Sequence, residues 1–142
     1  MEKEALEWAI SSHKKFPPSD GAGDFQALQG DLRTEVLSSG RHWIDIDPYG
    51  SPAPFIDSAM QSMARSGVME VSATDTAALT GSSKTALMRR YGARVRTDCL
   101  AHDSGMRVML SNISRIAARH DRTIEPLLSI WDSHHLLSLI HI

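Results

Sequence analysis

Three consecutive residues, Asp47-Pro48-Tyr49, set an acid, a proline and an aromatic side by side, and Gly50-Ser51-Pro52 follow at once. These types suit the task of holding a nucleobase by its exocyclic amine. That amine, in guanine or adenine, is a poor nucleophile because its lone pair is delocalised into the ring. A carboxylate at 47 and the backbone carbonyl of 48 can accept its two N–H bonds, and proline presents its carbonyl from a fixed φ. The amine then pyramidalises, its lone pair becomes available to an electrophilic methyl group, and Tyr49 stacks on the extruded base. Such catalysis is positioning and electrostatics, with no covalent enzyme intermediate. The same tripeptide also suits plain architecture, with the Asp capping the next helix and the Tyr packing on its first turn. Short motifs of this kind often arise by chance.

The neighbouring elements decide where such a loop sits. Residues 42–47 read as a strand, an apolar run of β-formers that ends where Pro48 cannot donate to a ladder and where Gly50 and Pro52 punctuate a turn. A helix over about 53–64 follows, its stripe being Ile56, Ala59, Met60 and Met63. Strand, polar loop and helix make half of a βαβ unit, and open α/β sheets bind ligands just beyond the carboxyl ends of their strands. Residues 67–73 alternate as a second strand. Thr74-Asp75-Thr76 then falls beside the first loop if the two strands are parallel, either lining a site or forming a polar turn.

Elsewhere, residues 2–15 read as a helix stopped by Pro17-Pro18, 25–28 as a short strand, and 32–38 as a short helix. Asp31 opens that helix, a common place for a capping carboxylate. The best-patterned helix spans about 101–119, with Met106, Met109, Leu110, Ile113, Ile116 and Ala117 on one stripe and His102 and Asp103 at its start. A last strand covers 124–133, with Pro126 arguing for an edge or bulge. Lys84, Arg89, Arg90, Arg94 and Arg96 form the densest basic segment, suited to RNA phosphates or simply to a solvated helix face. Gly21-Ala22-Gly23 lacks the third glycine and the preceding strand of a dinucleotide loop. Gly81-Ser82-Ser83-Lys84-Thr85 lacks the glycine before the lysine of a Walker loop.

The bulk properties narrow the field. The chain has 142 residues, one domain at most, and with 42% hydrophobic and 23% charged residues it can bury a modest core. A net charge of −2 excludes a generic polyanion binder, so any RNA contact must come from a local patch. The single cysteine, Cys99, excludes an internal disulfide and a cysteine-based zinc site. Adjacent histidines, His134 and His135, would point to opposite faces of a strand, so no metal site is expected. No apolar run approaches membrane length and no signal peptide is evident, so the expected setting is cytoplasmic, with no membrane partner. Nothing implies an oligomer.

Three motifs in order, Asp-Pro-Tyr-Gly-Ser-Pro at 47–52, Ala-Thr-Asp-Thr-Ala at 73–77 and His-Asp-Ser-Gly-Met-Arg at 102–107, resemble the tRNA guanine-26 N2-dimethyltransferase family. That resemblance implies part of a class I, Rossmann-like α/β sheet with flanking helices. The expected activity is methylation of a tRNA guanine amine with S-adenosyl-L-methionine as co-substrate. It implies Asp47, Pro48 and Tyr49 at the reacting base, and Asp31, Leu32 and Asp47 beside the cofactor. Thr74, Asp75, Lys84, Arg89, Arg90, His102 and Arg107 are implied toward tRNA. This chain departs from the family in Tyr49, usually Phe, in Asp103, usually Glu, and in Thr80-Gly81, usually Cys-Gly. The family's first two strands, with the glycine-rich methionine loop and the ribose-binding acid, find no match here. The sheet is therefore expected to leave a gap or an unpaired edge, and the segment alone to be inactive. Residues 137–142, Leu-Ser-Leu-Ile-His-Ile, match a reading frame of a sequencing adapter and are expected to lie outside the native domain of 1–136. Two other functions suit the same residues: an amino-methyltransferase acting on ribosomal guanine or adenine, and a non-catalytic RNA-binding module.

Overall fold

The computed structural model describes residues 3–17, 25–37 and 40–142. Its centre is a four-stranded sheet of β1 (Arg41–Ile46), β2 (Met63–Ala73), β3 (Glu125–Asp132) and β4 (His135–His141), in the order β1-β2-β4-β3. β1 and β2 run parallel, with Ile44 opposite Met69 and Ile46 opposite Val71. β4 is antiparallel to both of its neighbours. The helices are α1 (Lys3–Lys15), α2 (Leu32–Glu35), α3 (Ile56–Ser62), α4 (Thr76–Leu79), α5 (Lys84–Tyr91) and α6 (Ala101–Ala118). β1, α3 and β2 make the crossover that the sequence pattern implies, and β1 lies at one edge of the described sheet.

Alternation along the strands builds the core. Ile44, Ile46, Met69, Val71, Ala73, Leu136 and Ile140 all turn to one face and are buried there. Against them pack Ile56, Ala59 and Met60 of α3, Leu87 and Tyr91 of α5, and Met109, Ile113 and Ala117 of α6. The packed helices thus gather on one face instead of both. The other face carries Trp43, Leu128 and Ile130, each about half exposed, and α1 buries none of its residues among those described.

Several sequence expectations need correction. Residues 25–28 form no strand, and Phe25 instead stacks on His13 with ring centroids 4.3 Å apart. A run of β-formers becomes a strand only with a partner for its backbone, and none of the described strands pairs there. α2 is shorter than the 32–38 expected, and Ser38 lies outside the described residues, as do Gly21-Ala22-Gly23. β2 begins earlier than residue 67 through an irregularity. Arg41 faces Met63 but Trp43 faces Val68, so four residues of β2 bulge outward before regular pairing. Gly67 suits that bulge because a Cβ there would lie 2.8 Å from the His42 carbonyl oxygen. His134 stands in the turn before β4 and His135 at the strand's first position. Residues 137–142 lie within the described sheet. They supply most of β4, in the sheet interior, with Ser138 and Ile140 fully buried and Ile142 paired to Gly67 through both backbone groups. Their apolar alternation is all that the slot between β2 and β3 requires.

Candidate active site

The loop 47–52 leaves β1 at its carboxyl end and is tied to the residues that leave β2 beside it. The Gly50 N–H donates to Thr74 Oγ1 at 2.8 Å, and the Thr74 N–H donates to the Gly50 carbonyl at 2.9 Å. Gly50 takes φ +94°, a conformation that a side chain would strain. That turn throws Tyr49 outward. Its ring is wholly exposed, an unusual state for an aromatic side chain that packing could have covered. Asp47 is exposed too and makes no side-chain hydrogen bond or ion pair among the described residues. Neither the helix-capping role for Asp47 nor the packing role for Tyr49 is realised: Phe55 stands at the N-cap of α3, without a side-chain bond. Pro48 is half-buried between them. Asp45 sits one strand repeat before Asp47. Its partial burial, and then the charge of Asp47, raise its carboxyl above the ordinary value.

Beneath the loop lies a network that the sequence did not announce. Ser51 Oγ donates to Tyr91 Oη at 2.9 Å, Tyr91 Oη donates to Asp75 Oδ1 at 2.9 Å, and Arg90 Nη1 reaches Asp75 Oδ2 at 3.0 Å. Tyr91 is fully buried, which pushes its phenol strongly up from the ordinary value. Asp75 keeps only 5% of its side chain exposed. Asp75 and Arg90, both expected toward RNA, form a mutual ion pair at the foot of the loop. The one available signal for Tyr91 was its place four residues after Leu87 on the buried side of α5, since a buried tyrosine hydroxyl needs a partner.

Lys84 and Arg89 are exposed on α5, and neither is in an ion pair among the described residues. With Arg94 they rim a groove of about 670 Å³ floored by Leu87, Met88 and Val95. Asp31 caps α2, accepting from the Arg33 N–H at 2.9 Å, and also pairs with the Arg33 guanidinium, which holds its carboxyl down at about 2. Leu32 packs against the core edge. His102, in the first turn of α6, stacks on Trp131 at 4.6 Å, and Arg107 lines a shallow cleft beside Arg115. Hydrogen bonds, ion pairs and ring contacts among the described residues connect neither of these to the 47–52 loop. Among the described residues, no group of three His, Cys, Asp or Glu gathers to hold a metal.

Residues 29–142 match the family model of N2,N2-dimethylguanosine tRNA methyltransferases. The chain belongs to this family. It is 45% identical over 93 residues to a tRNA (guanine(26)-N(2))-dimethyltransferase of Thermoplasma volcanium, covering 66% of this chain and 27% of that protein. With the enzyme of the same name from Thermococcus kodakarensis it shares 34% over 114 residues, 79% of this chain and 30% of the relative. The fold superposes on Trm1 from Pyrococcus horikoshii, solved with S-adenosyl-L-methionine, with a TM-score of 0.83 and 30% identity over 98% of this chain and 41% of that one. The chain thus spans between about a quarter and a third of these curated relatives' length.

Proposed function

We propose that the protein to which this segment belongs methylates the N2 amine of guanine 26 in tRNA, the reaction named for its relatives. The observation that carries this is the combination of an exposed Asp47, without a side-chain partner among the described residues, and a fully exposed Tyr49 on a tightly tied loop at the carboxyl end of a parallel strand. An acid and an aromatic held out to solvent by a rigid backbone form a receptor for a flat, amine-bearing base.

In this reading Tyr49 stacks on the base, while an Asp47 oxygen and the Pro48 carbonyl each accept one N–H of the amine. Those two bonds orient the nitrogen lone pair away from the loop, and Asp47 balances the positive charge that grows on nitrogen during transfer. S-adenosyl-L-methionine supplies the electrophilic methyl group. Asp31, Leu32 and Asp47 are the residues here that would hold it. The Asp31 carboxylate is already engaged by Arg33, so an adenine contact requires that guanidinium to yield. Lys84 and Arg89, with Arg94, offer their exposed charges to tRNA phosphates, while His102 and Arg107 serve a more distant stretch of RNA. Thr74 and Asp75 act beneath the loop. The setting is cytoplasmic, where unmodified tRNA is met.

The test uses the full reading frame that contains this segment, incubated with labelled S-adenosyl-L-methionine and unmodified tRNA beside an Asp47→Ala variant. Label on a guanine amine at position 26, lost in the variant, supports the reaction and the residue. Label on another nucleoside moves the substrate, to ribosomal guanine or adenine if those RNAs accept it. Bound tRNA without label leaves a binding module.

A further inference from the structure

We propose that Ser51, Tyr91 and Asp75 are positioning residues, a hydrogen-bonded strut that aims the Asp47-Pro48-Tyr49 loop from beneath and makes it one rigid piece with the basic helix α5. The proposal rests on the methyltransferase reading of that loop.

The chemistry of the groups sets the direction of every bond in the strut. The Asp75 carboxylate only accepts, so Tyr91 must donate to it. The single Tyr91 proton is then spent, so its oxygen must accept, and Ser51 must donate. Ser51 Oγ is left to accept the Ala53 N–H at 3.4 Å. Arg90 closes the far end on the second Asp75 oxygen. No buried side-chain polar atom among the described residues lacks a partner, so each hydroxyl of the strut is already engaged by the next. Breaking one link strands its neighbours.

The strut matters to the loop because the reacting side chains are aimed only through the backbone that carries them. Asp47 and Tyr49 make no side-chain bonds of their own among the described residues, so their aim is the aim of their backbone. Two consecutive residues hold that backbone, Thr74 at Gly50 and Asp75, through Tyr91, at Ser51. Tyr91 is also the last residue of α5, the helix that carries Lys84 and Arg89, and its carbonyl accepts from Arg115 of α6 at 2.6 Å. RNA gripped by α5 and a base received by the loop are therefore referred to the same buried hydroxyl.

Tyr91→Phe keeps the buried ring and removes only that hydroxyl. In the full reading frame, kcat is expected to fall about 10- to 100-fold, the scale on which small misplacements of reacting groups act. KM for tRNA and for S-adenosyl-L-methionine should stay within about twofold, because the variant changes the aim of bound groups and not the surfaces that bind. Hydrogen exchange should quicken at the Gly50 and Thr74 amides. Ser51→Ala should reproduce both effects, and the double variant should lose no more than either alone, because both cut one chain. Unchanged kcat and unchanged exchange in Tyr91→Phe overturn the proposal, as does a rise in KM with kcat intact. If Tyr91→Phe does not fold, Ser51→Ala decides by the same two readouts. If the parent enzyme transfers no methyl group, the reaction is refuted separately, and amide exchange alone decides the strut.

Discussion

Replacing Asp47 by Asn separates the catalytic role proposed for this residue from any role in stability. The amide keeps the shape and one acceptor oxygen, removes the charge, and turns the second acceptor into a donor facing the amine. A hydrogen bond to a charged group contributes about 1.5–3 kcal/mol. If that is lost only in the transition state, kcat falls about 10- to 150-fold. Stability should barely move, because Asp47 is exposed and bonded to nothing among the described residues, and such surface changes stay within about 0.5 kcal/mol. The sign of that small change is readable. Asp45 is held above its ordinary value by burial and by the charge of Asp47, so at neutral pH its ionised form disfavours the folded state. Removing the neighbouring charge relieves this, so Tm should stay level or rise slightly, and the Asp45 carboxyl should titrate lower. The assay is methyl transfer to tRNA under saturating co-substrate, with a melting curve and a carboxyl NMR titration on the same variant. A kcat within about twofold of the parent would refute the role of Asp47 as an amine acceptor, since that leaves less than about 0.5 kcal/mol to assign. A large fall in Tm would show instead that the residue is structural.

Three further outcomes follow from particular contacts. At Gly105 of α6 a Cβ would lie 2.8 Å from the Trp131 ring and 3.1 Å from the Leu79 carbonyl oxygen, so Gly105→Ala should destabilise by about 1–3 kcal/mol despite the better helix propensity of alanine. A lower urea midpoint checks this, and a higher one would show that the contact yields. Arg89→Ala should raise KM for tRNA and flatten its salt dependence, whereas Arg90→Ala, which cuts the ion pair to Asp75, should lower kcat instead. Identical kinetics for the two neighbours would contradict the division of labour on α5. Asp57 is held below its ordinary value chiefly by its hydrogen bond with His120, at 3.1 Å, and also by Gln61 and Arg119. A depressed carboxylate stabilises the fold above its unfolded value and loses that contribution as pH falls through the folded one. Melting curves taken below about pH 4 should therefore show His120→Ala losing less stability than the parent as acid is added. Parallel curves would assign the acid response elsewhere.

Much of the site was legible because its signals are local. Pro48, Gly50 and Pro52 end β1 and shape the loop by their own backbone chemistry, and the stripe of α6 is a periodicity within one element. Asp31 caps α2 as its type and place imply. The parallel pairing that brings Thr74 to Gly50 was legible as a conditional, since a strand, helix and strand of these lengths close into a crossover only one way.

What the sequence by itself determined, then, is the loop at 47–52: its acid, its aromatic and the turn that turns both outward. Only the tertiary structure decided what holds that loop. Arg90 and Arg89 are adjacent and chemically identical, and nothing local says that one pairs with a buried carboxylate while the other is in no ion pair among the described residues. Residues 25–28 have strand-forming types but no partner, and residues 137–142 gain a place in the sheet because a slot between two strands accepts any alternating apolar run. Tyr91 meets Ser51 across 40 positions of sequence, and a hydrogen bond of that span exists only once the core has placed both ends.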